Sequence, residues 1–117
     1  MKVSILIPVY NERATLSEIL RRVRAVDLQV SSDALVYTDR QLNMQKEIVV
    51  VDDGSTDGSP AILREEAARG DLVTVFHPHN QGKGSAVRSA IKAATGDNLV
   101  IQDADLEYDL RDFPSLL

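Results

Sequence analysis

Asp103-Ala104-Asp105 places two carboxylates one residue apart, directly after the apolar run Asn98-Leu99-Val100-Ile101. Where a strand opens into a loop, such a pair can serve one ligand. One carboxylate can bind a hard cation while the other holds a hydroxyl or a metal-bound water. Mg²⁺ and Mn²⁺ favour oxygen ligands and take the remainder from phosphates and waters. Glu107, two residues beyond Asp105, could add a further ligand. A bare D-x-D is also common in solvated turns, so the preceding apolar strand is what makes this one a candidate.

Other clusters have chemistry of their own. Asp52 and Asp53 leave the run Glu47-Ile48-Val49-Val50-Val51. Adjacent residues leaving a strand point opposite ways, so one faces a crevice and the other holds the following turn. Asp53-Gly54-Ser55 also reads as a simple turn, with Ser55, Thr56 and Asp57 as helix-capping oxygens. Pro8-Val9-Tyr10-Asn11-Glu12 closes the first apolar run. Tyr10 offers an aromatic face and Glu12 an acceptor, a combination that suits a nucleobase. Alternatively, Asn11 merely caps the next helix. Gln81-Gly82-Lys83-Gly84-Ser85 opens a helix whose N–H groups, with Lys83, favour an anion. It is not a P-loop, because G-x-x-x-x-G-K would need glycine where His77 or His79 stands. His77 and His79 flank Pro78 and are expected in a solvated loop. Arg88 and Lys92, one helical turn apart, read as a solvated face.

The elements that position these groups alternate. Val3–Ile7, stopped by Pro8, Glu47–Val51, Leu72–Phe76 and Asn98–Ile101 read as strands. Helices are expected over Arg13–Val26, with Leu16, Ile19, Leu20 and Val23 inward, over Asp57–Arg69, ended by Gly70, and over Gly84–Ala94. Asp27–Lys46 reads as a surface excursion, long for a helix-to-strand connection. The alternation implies an α/β, Rossmann-like parallel sheet with helices on both faces. Ligands of such sheets sit beyond the carboxyl ends of the strands. Glu12, Asp52, Asp53, Asp103 and Asp105 are thereby gathered along one edge.

Composition narrows the function classes. The 117 residues form one expected domain, 44% hydrophobic and 26% charged, with a net charge of −5. An acidic chain is a poor non-specific partner for nucleic acid. Without Cys there is no disulfide, thiolate metal site or cysteine nucleophile. No signal-peptide pattern or membrane-spanning apolar run is present, so cytoplasmic residence is expected, compatible with contact at the cytoplasmic face of a membrane.

In this order the clusters resemble glycosyltransferase family 2, the inverting nucleotide-sugar transferases of the GT-A fold. The matched blocks are Val3–Glu12, Val49–Asp57, Asn80–Gly84 with Ala94–Asp97, and Gln102–Asp109. The Ala104-Asp105-Leu106 context and Pro114–Leu117 resemble the dolichol-phosphate mannosyltransferase-like branch. That branch moves a sugar from GDP-mannose or a UDP-sugar to a polyprenyl phosphate. The resemblance implies that Pro8, Tyr10, Glu12, Val51 and Asp53 surround the nucleoside, and that Asp103 and Ala104 run along the ribose and diphosphate. It implies that Asp105 binds Mg²⁺ or Mn²⁺ and acts in catalysis, with Glu107 as second ligand. Glu107 stands where the branch more often has Gln, and Leu110 where Pro is common. The cation would stabilise the leaving diphosphate, and an already ionised phosphate acceptor would need no general base.

The family's catalytic domain is longer than this chain. The chain is therefore expected to be the nucleotide-binding half, cut after the D-x-D segment, with an uncovered sheet end that favours self-association. Two alternatives stand beside the transferase. One is a non-catalytic nucleotide-sugar-binding module of the same fold. The other is a metal-dependent phosphotransfer domain, against which the D-x-D follows the fourth strand instead of the first.

Overall fold

A computed structural model describes residues 2–25 and 45–104. Within them alternate β1 (Lys2–Val9), α1 (Leu16–Ala25), β2 (Gln45–Asp52), α2 (Ser59–Ala67), β3 (Leu72–Phe76), α3 (Lys83–Ala93) and β4 (Asn98–Ile101). Most of the expected surface excursion, residues 27–44, lies outside the described residues.

The central strands β1 and β2 read as unbroken apolar runs because both of their faces are covered, whereas Leu99 and Ile101 of β4 remain exposed. Val3, Ile5, Ile7, Val9, Ile48 and Val50 pack with Leu16, Ile19, Leu20 and Val23 of α1 and Leu63 of α2. The intervening Leu6, Val49 and Val51 pack on the other face with Ala86 and Ala90 of α3. All pairings are parallel, in the order β3-β2-β1-β4. The chain thus steps outward from β1 to β3, then crosses back to the far side of β1. Right-handed crossovers put a helix on the opposite face when the direction of stepping reverses, which is where α3 lies. The strand order therefore switches between β1 and β4, and a crevice opens at their carboxyl ends.

Charges fix the helices to this frame. The four inward residues of α1 are fully buried at the expected helical spacing. Lys46 Nζ donates to the carbonyls of Val23 and Arg24 at 2.7 and 2.8 Å, satisfying the last turn of α1. Arg24 bridges Glu66 of α2 and Asp71 before β3. α2 begins two residues later than expected. Asp57 stays outside the helix and accepts both the backbone N–H and the hydroxyl of Ser59.

β1 also departs from expectation, since it runs through Pro8 to Val9. Leu6 O accepts from Gln102 on the β4 side, whereas Val9 O accepts from Asp53 on the β2 side. Pro8, two residues after Leu6, therefore turns its nitrogen toward β4. The β1–β4 register runs over Val3–Leu6 and has ended there, so proline costs the sheet no ladder bond.

The turn after β2 and the loop after β3 touch through Gly54. Its φ of +73° is one that side-chain-bearing residues rarely adopt, and a Cβ would drive into the backbone of His79 and Asn80. Gly54→Ala is expected to cost roughly 2–4 kcal/mol, combining backbone strain with overpacking. Gly70→Ala, at φ +84° but facing open space, should cost only about 1 kcal/mol. Urea unfolding of both variants checks this, and equal losses would show that the two loops are not in tight contact.

Candidate functional site

The crevice at the switch point is a cleft of about 310 Å³ lined by Pro8, Val9, Tyr10, Glu12, Asp53, Asn80, Lys83, Ala86, Asp103 and Ala104. Each wall comes from the carboxyl end of a strand or from the element it feeds. Tyr10 stands half exposed after β1. Opposite, Lys83 at the start of α3 reaches Asp103 after β4, with Nζ–Oδ1 at 2.5 Å. An ion pair this exposed is worth about 0–1 kcal/mol and exchanges partners readily.

Asp53 is the hub of the site. Its side chain is almost fully buried, yet both oxygens are saturated. Oδ1 accepts from Gln81 N at 2.9 Å and lies 2.7 Å from His77 Nδ1. Oδ2 accepts from Gly82 N at 3.0 Å and from Asn80 Nδ2 at 3.1 Å. Burial raises the carboxyl's pKa, but the bonds from His77, Gln81 and Gly82 outweigh it, holding the group below the usual carboxylate range. Its folded value lies below its unfolded one. The stability it contributes is therefore complete above the unfolded value and is lost as pH falls through the folded one.

Other bonds fasten the cleft's edges. Asn11 takes a φ of 53°, which asparagine tolerates better than most residues. Its N–H donates to Ser55 Oγ and its Oδ1 accepts from Thr56 N. Arg13 N donates to Asp57. These contacts lock the β1–α1 loop, which presents Tyr10 and Glu12, onto the β2–α2 turn. Thr15 Oγ donates to the Ala104 carbonyl at 2.6 Å, tying the start of α1 to the segment after β4.

Of the residues expected at the site, Pro8, Tyr10, Glu12, Asp53, Lys83, Asp103 and Ala104 are brought together around one cleft. Val51 is fully buried among Leu6, Ala86 and Ala90, behind the wall and not part of the lining. Asp105 and Glu107 lie outside the described residues. Asp52 and Asp53 do point opposite ways. Asp52 is buried on the α1 and α2 side, where its Oδ2 accepts from Ser55 N, and its Oδ1 has no partner among the described residues.

His77 requires a correction. The expected solvated loop residue has a side chain only 8% exposed, with its second ring nitrogen 2.8 Å from Ser89 Oγ. His79, two residues on, is exposed as expected. His77 is held because its N–H bonds to the Asp52 carbonyl, which ties the residue just past β3 to the end of β2. The sequence signal was its position directly after Phe76. Asn80, Thr15 and Ser89 were also missed as site residues, since each acts through a contact between distant segments.

The donors facing the cleft are oxygens, the chemistry that Mg²⁺ and Mn²⁺ prefer. Among the described residues, however, no three acidic or histidine groups cluster closely enough to hold a metal. Asp53 is already saturated, leaving Asp103 and Glu12 as the described carboxylates with capacity. A cation here would take its remaining ligands from beyond the described residues, from phosphates or from waters.

Comparison with known proteins agrees with this fold. The chain is similar to undecaprenyl-phosphate 4-deoxy-4-formamido-L-arabinose transferase of Sodalis glossinidius, at 39% identity over 118 residues covering 99% of this chain. It spans only 32% of that relative's length. The mannosyltransferase PcManGT from Pyrobaculum calidifontis, solved with GDP-Man and Mn²⁺, superposes with a TM-score of 0.72 and 34% identity. That match covers 94% of this chain and 29% of the other. S. aureus TarS 1–349 in complex with UDP-GlcNAc gives a TM-score of 0.68 and 27% identity, over 90% of this chain and 27% of that one. Residues 4–117 match the family described as Glycosyl transferase family 2, and the chain belongs to that family.

Proposed function

We propose that this chain is the nucleotide-sugar-binding part of an inverting, divalent-metal-dependent glycosyltransferase that moves a sugar from a nucleoside diphosphate to a polyprenyl phosphate. The observation that carries the reading is the convergence of Tyr10, Glu12, Asp53, Lys83 and Asp103 on one switch-point cleft. Tyr10 supplies a face for a base and Glu12 an acceptor for its ring N–H groups. Lys83, at the N-terminus of α3, exchanges Asp103 for the diphosphate. Pro8 and Ala86 narrow the floor and limit water beside it. Asp105 and Glu107 would hold the cation, which when bound neutralises charge on the departing diphosphate. Two further points support the donor and acceptor classes. Nucleotide sugars are bound by the structural neighbours, and undecaprenyl phosphate stands in the names of the relatives. With such an acceptor the reaction would take place at a membrane surface, and we expect the cytoplasmic one. No helix among the described residues is long and apolar enough to cross one.

The chain's 32% span of its relative favours a second reading, a binding part that does not turn over by itself. Nucleotide binding without sugar transfer or sugar-nucleotide hydrolysis by the 117-residue chain would favour that reading.

Titration calorimetry with UDP, GDP and their sugars is expected to give saturable binding that strengthens with Mn²⁺ or Mg²⁺ and weakens when EDTA removes the metal. Failure to bind any of them, with metal or without, overturns the nucleotide reading. Lys83→Met should weaken diphosphate binding roughly 10- to 150-fold, in line with the ~1.5–3 kcal/mol of a hydrogen bond to a charged group, and leave free nucleoside binding unaltered. Equal weakening for nucleoside and nucleotide would place Lys83 away from the phosphates.

A further inference from the structure

Resting on the nucleotide reading of the cleft, we propose that His77 is a positioning residue: acting through Asp53, it holds Asn80-Gln81-Gly82 where Lys83 and the first turn of α3 face the ligand. His77 does not itself line the cleft and reaches it only through Asp53. Its backbone is placed by the sheet through the 2.8 Å bond from its N–H to Asp52 O. Its ring is placed by Asp53 on one side and Ser89 on the other. Asp53 is ionised and has no proton to give, so Nδ1 carries the hydrogen and donates. With a neutral ring, the Ser89 hydroxyl donates to Nε2; with a charged ring, Nε2 donates to Ser89. Both bonds persist in either state.

The order of events along the chain explains why this matters. The loop from Pro78 to Gly82 has no ladder or helix of its own to hold it. Its backbone donors at Gln81 and Gly82 both end on Asp53. The carboxylate therefore sets the loop, and its own orientation depends on what fixes its oxygens from outside the loop's tip. His77, anchored to β2 and to α3 at once, fills that role. Asp, His and Ser also make hydrolytic triads, but this trio cannot work as one. Ser89 sits in the interior of α3, where neighbouring N–H groups are engaged within the helix and none is available to hold an oxyanion.

Three substitutions separate positioning from space filling. In His77→Asn the amide nitrogen lies near Nδ1 and can keep the Asp53 bond. In His77→Gln it lies near Nε2 and keeps Ser89 instead. His77→Leu keeps neither. Amide hydrogen exchange at Gln81 and Gly82 is measured in the ligand-free 117-residue chain, and binding of UDP and GDP with Mn²⁺ by calorimetry. Exchange is expected to speed up about tenfold or more in the Gln and Leu variants, with nucleotide affinity falling in parallel, while Asn recovers most of both. If Gln and Leu, closer to histidine in volume, perform better than Asn, the ring merely fills space and the proposal is overturned. Unchanged exchange and affinity in all three overturn it as well. If the unsubstituted chain binds neither nucleotide, the nucleotide reading fails and the proposed role fails with it. In that case the exchange data still show whether His77 holds the loop.

Discussion

A buried carboxylate held in its charged form by hydrogen bonds organises this end of the molecule. Asp53 is 2% exposed and remains ionised, so every lone pair left without a donor would be costly. Four donors from a single loop and the residue just before it meet that demand. The same bonds that stabilise the charge also fold the loop, so electrostatics and architecture are one constraint. Removing one partner would leave the others around an under-satisfied charge, which is why such hubs fail as units.

The hub sits where the topology needs it. A sheet of order β3-β2-β1-β4 opens a crevice between β1 and β4, but β2 and its neighbour β3 lie to one side of that crevice. The loop after β3 must therefore travel over the end of β2 before α3 can begin beside the cleft. Gly54 provides the close approach, and Asp53 provides the attachment. α3 then packs through Ala86 and Ala90, whose small side chains let its backbone come close to Leu6, Val49 and Val51. With bulky residues at those positions the helix would stand farther off, and Lys83 would not reach Asp103.

The sheet, the helix faces and most of the cleft were legible in the sequence because they follow from local pattern. Apolar runs with β-branched residues, i, i+3, i+4 spacing in α1, and acidic residues at strand ends each declare themselves within a few positions. What local pattern could not show was pairing across distance. Nothing near Asp53 in the chain announces that its partners are 24 to 29 residues away. Nothing near Pro8 tells which neighbour its missing N–H would have faced. His77 departs from expectation for the same reason: Pro78 beside it signals a loop, whereas the backbone bond that holds it to Asp52 at the end of β2 is non-local. Val51 differs again, because its place in the motif said nothing of α3 lying directly on top of it.

The charge of the cleft bears on the kind of ligand it can take. Among its described lining residues are the carboxylates of Glu12, Asp53 and Asp103 against the ammonium of Lys83. Asp53 is surrounded by its own donors and projects little field, but Glu12 and Asp103 remain. A diphosphate approaching alone would meet net repulsion at distances within a Debye length. Freeing Lys83 from Asp103 helps the phosphate while exposing another negative charge, so the exchange gains little by itself. A ligand that arrives with a divalent cation changes the balance, since Asp103 then faces positive charge after Lys83 leaves it. On the proposed reading, a cleft with these charges would favour a metal–diphosphate pair over a bare anion. Its carboxylates and its lysine make sense as alternating partners more than as a fixed ion pair.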